Sequence, residues 1–179
     1  MAFLIKSAPV RTAGPTTPGT SVLSQAIHVV RAAKVLPQST TEQLFLVRGG
    51  RVLVRAMLGE VTTVLTATDP VSSINSSKLN AALDTIVGTT VAIATTVDTA
   101  SLEVGGTVFV EGDGTALVKA NAGCVFIGAV TGMWLAPRGE IYLTTTGNNT
   151  TGAMKWEIWY EPWDAGAYVT AVDVATAAV

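Results

Sequence analysis

The most constraining feature of this chain is a succession of short apolar runs, rich in valine, threonine and isoleucine. Glycine or polar turn residues stop most of them within ten positions. QLFLVR (43–48), RVLVRAML (51–58), EVTTVLTAT (60–68), TTVAIATTV (89–97), TVFVE (107–111), TALVKA (115–120), CVFIGAV (124–130), GEIYLTTT (139–146) and MKWEIWYEP (154–162) all take this form. Side chains branched at Cβ are stiff at χ1 and pack well on a pleated surface. With 26 Thr and 24 Val in 179 residues, strands are favoured throughout. Eight or nine short strands with no long helices between them predict an all-β fold, a sandwich or jelly-roll-like antiparallel domain. Parallel βαβ units would need crossover helices for which there is no room.

Local signals refine this picture. Gly49-Gly50 between two apolar runs predicts a hairpin, because glycine accepts the positive φ angles of a tight turn; Gly112-Asp113-Gly114 predicts another. From Arg51 to Ala56 the alternation places Arg51, Leu53 and Arg55 on one face and Val52, Val54 and Ala56 on the other. LNAALDTIV (79–87) suggests a helical turn. Upstream, SAPVRTAGPTTPGTS (7–21) is too rich in Pro, Gly, Ser and Thr to fill a core. In VLSQAIHVVRAAKVL (22–36), Leu23, Ile27 and Val30 fall near a 3.6-residue spacing. Thr20 or Ser21 can cap it and Pro37 can end it, so a short helix is predicted. The expected organisation is an N-terminal arm over 1–42, a sandwich over 43–165 and an Ala/Val-rich tail over 166–179.

Charge is unevenly placed. Residues 1–55 carry seven basic side chains against the single acid Glu42, and residues 56–179 carry four against twelve acids. Such asymmetry predicts association, with an anionic partner or between copies of the chain. The basic residues are spaced and few aromatics lie among them, so no stacking platform for nucleic acid is expected. Contact with an acidic neighbouring subunit is the better expectation. Arg11, Arg31 and Lys34 would supply its charge, and Leu23, Ile27 and Val30 its apolar part.

Much chemistry is disfavoured by composition. One Cys (Cys124) and one His (His28) leave no basis for a disulfide framework, a Cys-rich zinc site or a conventional Ser-His-Asp triad outside the arm. Cys124 reads as a small buried hydrophobe and His28 as a structural residue. The glycine pairs lack the remainder of a phosphate-binding or calcium-binding loop. Glu157 and Glu161 share a strand face about 13 Å apart at about 3.3 Å per residue, wider than the roughly 5–9.5 Å of a glycosidase pair. Asn75, Asn148 and Asn149 stand in glycosylation sequons but read as ordinary polar turn residues. No apolar run approaches the length of a membrane span, and Met1–Lys6 makes a poor signal peptide. The expectation is therefore a chain with no enzymatic activity, no cofactor, no metal and no membrane partner.

KWEIWYEPW (155–163) holds three of the four tryptophans. On a regular strand Trp156 faces one side while Trp159 and Trp163 share the other. Trp156 is expected in the core, with Trp159 and Trp163 lining a surface that a second chain covers; Pro162 suits a strand end or edge. The competing expectation is a sugar-gripping stripe.

The stretch LFLVRGGRVLVRAMLGEVTTVLT (44–66) resembles a family of small virion structural proteins of tailed bacteriophages. The likeness continues more loosely through GDGTALVKANAG (112–123) and APRGEIYLTTTGNNTTGAMKWEIWYEPWDAGAYV (136–169). Residues 1–42 lie outside it. The resemblance implies a role like capsid decoration or cement, and it brings no catalytic residues. The expectation is a homotrimer or higher assembly in the virion, in contact with the major capsid protein or other virion proteins. The alternatives are another virion station, such as a tail or head–tail joining component, and a carbohydrate-binding or receptor-binding module.

Overall fold

A long two-stranded ribbon, folded over on itself, sets the architecture. β2 (Thr41–Arg48) runs through a glycine corner into β3 (Val52–Thr63). Antiparallel to this pair, β10 (Ala153–Pro162) runs through its own corner into β11 (Tyr168–Ala171). β3 pairs with β10 in one sheet and β2 with β11 in the other, so both corners carry the chain from one sheet to its partner. The computed structural model describes residues 26–65, 71–80, 82–83, 85–99, 102–112, 118–120, 133–147 and 151–173.

Around the ribbon, the strands β1 (Ile27–Val35), β4 (Val71–Lys78), β5 (Val91–Asp98), β6 (Thr107–Val110), β7 (Val118–Ala120), β8 (Trp134–Ala136) and β9 (Gly139–Thr145) complete two antiparallel sheets. The six-stranded sheet has the order β1-β10-β3-β6-β7, with β8 pairing on β3. The five-stranded sheet has the order β11-β2-β9-β4-β5. The protein is an all-β sandwich, as the punctuated strand pattern predicts. Between the sheets lies one apolar core, including Phe45, Val47, Val52, Val54, Met57, Ile74, Ile141, Leu143, Trp156 and Ile158. Val52 and Val54 are fully buried while Leu53 and Arg55 stay partly exposed, as their alternation requires.

Three local expectations are corrected. Gly49-Gly50 does not close a hairpin, because its flanking strands belong to different sheets; it is the corner of the folded ribbon. Gly49 does take a positive φ, of 72°, and a Cβ there would meet the Gly166 carbonyl oxygen at 2.3 Å. The predicted helix over 22–36 is instead strand β1 from Ile27 onward, antiparallel to β10. Its inward Val29 and Arg31 face the core side opposite Ile158 and Trp156; alternation overrides the helix-like spacing of Leu23, Ile27 and Val30. The boundaries move accordingly. β1 lies within the stretch assigned to the arm, and β11 within the stretch assigned to the tail, yet both are edge strands of the body. At 79–87 the observed feature is a turn closed by a Leu79–Ile86 bridge. β6 and β7 pair as predicted around Gly112; Asp113 and Gly114 lie outside the described residues.

Asp164 ties the two corners together. Its carboxylate accepts from the Arg51 backbone N–H at 2.8 Å and from the guanidinium Nε and Nη2 at 2.9 and 2.8 Å. These donors hold the carboxyl at about 2, against an ordinary 3.8. The unfolded chain therefore takes up this proton at higher pH than the folded one. The contact stabilises fully above about pH 4 and is lost as pH falls towards 2. Asp164→Asn is expected to lower the melting temperature slightly at pH 7 and to flatten its decline between pH 4 and pH 2. Acid melts of both proteins check this, and parallel curves would contradict it.

Candidate interaction surface

Along β10, burial alternates without interruption. Met154, Trp156, Ile158 and Tyr160 face the core, while Lys155, Glu157, Trp159 and Glu161 face outward. Trp156 is 1% exposed, on the side its position predicts. Gly59 on β3 stands opposite it. A Cβ on Gly59 would lie 2.9 Å from the indole ring and 2.7 Å from Met154 Cε, so only glycine leaves room for the ring. Trp159 is half-buried on the outer face, and Trp163, past the end of β10, is 58% exposed.

The outer face is assembled from three neighbouring strands. Register sets His28 and Ala56 on either side of Trp159, and Val30 and Leu58 on either side of Glu157. The His28 imidazole stacks on the Trp159 indole with centroids 4.4 Å apart and planes 4° from parallel. A bulge where Trp159 gives way to Tyr160 leaves Arg55 as the extra residue on β3. This shift keeps Met57 and Val61 inward beyond the bulge while Leu58 and Glu60 point out.

A chain of charges crosses the same face. His28 Nε2 and Glu157 Oε2 are 2.8 Å apart, Lys155 Nζ lies 2.9 Å from Glu157 Oε1, and the same ammonium lies 2.6 Å from Glu60 Oε2. Burial alone would raise the Glu157 carboxyl, but its bonds to Lys155 and His28 outweigh burial and hold it below the usual range. The Lys155 ammonium is pushed up by Glu60 and then Glu157. Arg55 forms a separate fork on Glu161, at 3.0 and 2.8 Å. Glu157 and Glu161 thus belong to two ion pairs rather than to one carboxylate pair.

The residues expected to form an interface separate into three groups. Ile27 and Val30 stand out from edge strand β1, each 46% exposed, and Val35 further along is 49% exposed. Arg31 does not face outward: it is 2% exposed, its Nη2 lies 2.5 Å from Glu42 Oε1, and its Nε donates to the Val172 carbonyl at 2.9 Å. Lys34 pairs with the same Glu42. These two charges are therefore engaged inside the chain. Arg11 and Leu23 lie outside the described residues, as do Cys124, Asn148 and Asn149.

Part of the charge asymmetry is met inside the chain. Arg51–Asp164 and Arg55–Glu161 each join the basic N-terminal part of the chain to the acidic remainder, and His28 contacts Glu157 across the same divide. The last two contacts follow from topology, since β10 lies between β1 and β3. Composition exposes the imbalance but not these pairings.

Chemically, this face suits recognition. It sets an aromatic stack and the aliphatic Val30, Leu53 and Leu58 among paired charges beside β1, the end strand of the sheet among the described residues. Among the described residues no group of three or more His, Cys, Asp or Glu is placed to hold a metal ion, and no helix is long and apolar enough to cross a membrane. No protein-family model matches the chain, and neither curated proteins nor solved structures include a significant match.

Proposed function

We propose that this chain is a non-enzymatic structural protein of a bacteriophage virion, an oligomeric capsid decoration or cement protein. The observation that carries this reading is the edge of the six-stranded sheet. Among the described residues β1 ends the sheet, with Ile27, Val30 and Val35 about half exposed, and its His28 stacks on Trp159. An open strand edge with apolar side chains is a template for pairing, and soluble monomers ordinarily blunt it with charge or bulges. β1 carries a bulge only after Arg31, so Ile27–Arg31 remains a regular edge. Closed symmetric association buries such a surface.

The likeness of residues 43–169 to small virion proteins points the same way, as does the low share of charged residues, 13%. In this reading the partners are further copies of the chain, as a homotrimer or higher assembly, and the major capsid protein. Its place is the virion, and it uses no cofactor. Trp159 is half-buried and stacked on His28, which favours a packed subunit boundary over a sugar platform.

Sedimentation at micromolar concentration tests the association. A trimer or larger species is expected. Val30→Lys, with its exposed position, is expected to shift the protein towards monomer while leaving its melting temperature within about 1 °C of the monomeric baseline, because surface changes typically stay within about 0.5 kcal/mol. A monomer at every concentration would overturn the oligomeric reading.

A further inference from the structure

The only histidine of the chain sits where its proton matters. His28 lies on β1, the end strand of the six-stranded sheet among the described residues, directly opposite Trp159 of β10. Its imidazole stacks on the indole with centroids 4.4 Å apart and planes 4° from parallel. Its Nε2 reaches Glu157 Oε2 at 2.8 Å, a diagonal cross-strand neighbour on the same face. The side chain is 41% exposed, so solvent can deliver and remove the proton.

The charges around the ring balance in one protonation state only. Glu157 and Glu60 are both bonded to the single Lys155 ammonium, which leaves one negative charge over. Against the upward push of burial, Lys155 and His28 hold the Glu157 carboxyl below its usual range, so it stays ionised from pH 8 to pH 5. The other charges around β1 are engaged elsewhere. Across Trp159, Glu161 is held by Arg55 of β3. Arg31 and Lys34 of β1 pair with Glu42 of β2, and Asp173, just after β11, accepts from the Ala32 N–H at 3.4 Å. An imidazole is the side chain that ordinarily changes charge between pH 8 and pH 5. Neutral, it can still donate an N–H to Glu157 but adds no charge. Protonated, it supplies the missing positive charge and sets a cation on the face of the indole, and both contacts are favourable.

We propose that His28 is a proton-operated clasp, holding the Ile27 end of β1 to β10 more firmly at pH 5.5 than at pH 8. β10 is the only strand paired with β1 among the described residues, so contacts with β10 carry much of what keeps β1 in the sheet. The contribution of the added charge is present in acid and fades as the imidazole loses its proton. The clasp lies within one chain and is independent of the virion role.

Thermal melts of the full chain at pH 8 and pH 5.5 test this. Each is read as the difference between the parent and His28→Phe at the same pH and protein concentration, so that the other titrating groups cancel. His28→Phe keeps a flat ring against Trp159 and removes the charge; His28→Gln serves as a second uncharged reference. The parent's advantage over either variant is expected to grow by about 2 °C from pH 8 to pH 5.5, the size of an exposed cation–π contact in a chain of this length. In a Glu157→Gln background that growth should fall by at least about half. His28→Arg, whose planar cation is permanent, should hold the same advantage over His28→Phe at both pH values. A parent advantage that does not change with pH would overturn the proposal and leave His28 as a packing residue. Growth undiminished by Glu157→Gln would overturn it as well.

Discussion

Trp156→Ala is expected to cost about 3–5 kcal/mol of stability, the range for truncating a large buried aromatic side chain. That is a large share of the roughly 5–15 kcal/mol that ordinarily separates folded from unfolded domains. The indole is 1% exposed, packs against Gly59 and belongs to the single inter-sheet core, so its removal leaves a cavity that two sheets tied by folded corners cannot readily close. Trp159→Ala provides the contrast. Its ring lies on the outer face against His28, so the expected loss is mainly in assembly. Denaturant unfolding and sedimentation of both variants check the pair. A Trp156→Ala protein as stable as the parent would contradict the assignment of the two faces.

The second large effect concerns the buried guanidinium of Arg31. Glu42→Ala leaves this charge, 2% exposed, with the Val172 carbonyl as its remaining bonded partner among the described residues. Removing one partner of a buried ion pair typically costs about 3–5 kcal/mol. Arg31→Met is expected to cost less, because Glu42 keeps Lys34 and the methionine stem fills part of the space. The double variant Arg31→Met/Glu42→Leu should recover much of the loss, since apolar replacement of a buried pair is often neutral or stabilising. Urea midpoints for the three proteins give the coupling. A Glu42→Ala loss below about 0.5 kcal/mol, the size of an ordinary surface change, would contradict a buried and mutually dependent pair.

How much of this was legible beforehand depends on the range of the interaction involved. β9 and β10 announce themselves because each alternates between apolar and polar positions, and a period of two survives any choice of partner strand; β3 was legible only in pieces, since runs 51–58 and 60–68 are read as two strands and a bulge at Arg55 shifts its alternation. The opposite facing of Trp156 and Trp159 follows from the same parity. β1 was not legible as a strand. Leu23, Ile27 and Val30 satisfy a helical spacing, and nothing local says that Arg31 turns inward to a carboxylate from another strand. β4 escaped for a different reason: VSSINSSK has little apolar content, yet it lies between β9 and β5, where paired backbone matters more than side-chain propensity. Gly49-Gly50 signals a reversal, but a hairpin and a sheet-to-sheet corner ask the same of glycine.

The candidate surface was legible only in part. Trp159 and Val30 emerge outward-facing, Ile27 lies opposite core-facing Tyr160 and is exposed at the end of the edge strand, and His28 gave no local hint of its stacking on Trp159. Its carboxylate partner is 129 residues away in sequence, and only the pairing of β1 with β10 brings them together. Residues that act across sheets leave little trace in local periodicity.

For the proposed virion role, the most direct measurement is quantitative mass spectrometry of density-purified virus particles recovered from the cells that express this chain. A virion structural protein predicts that its peptides copurify with the particles at constant stoichiometry to the major capsid protein, through repeated banding. A chain abundant in the infected-cell lysate but absent from the purified particles would contradict that role.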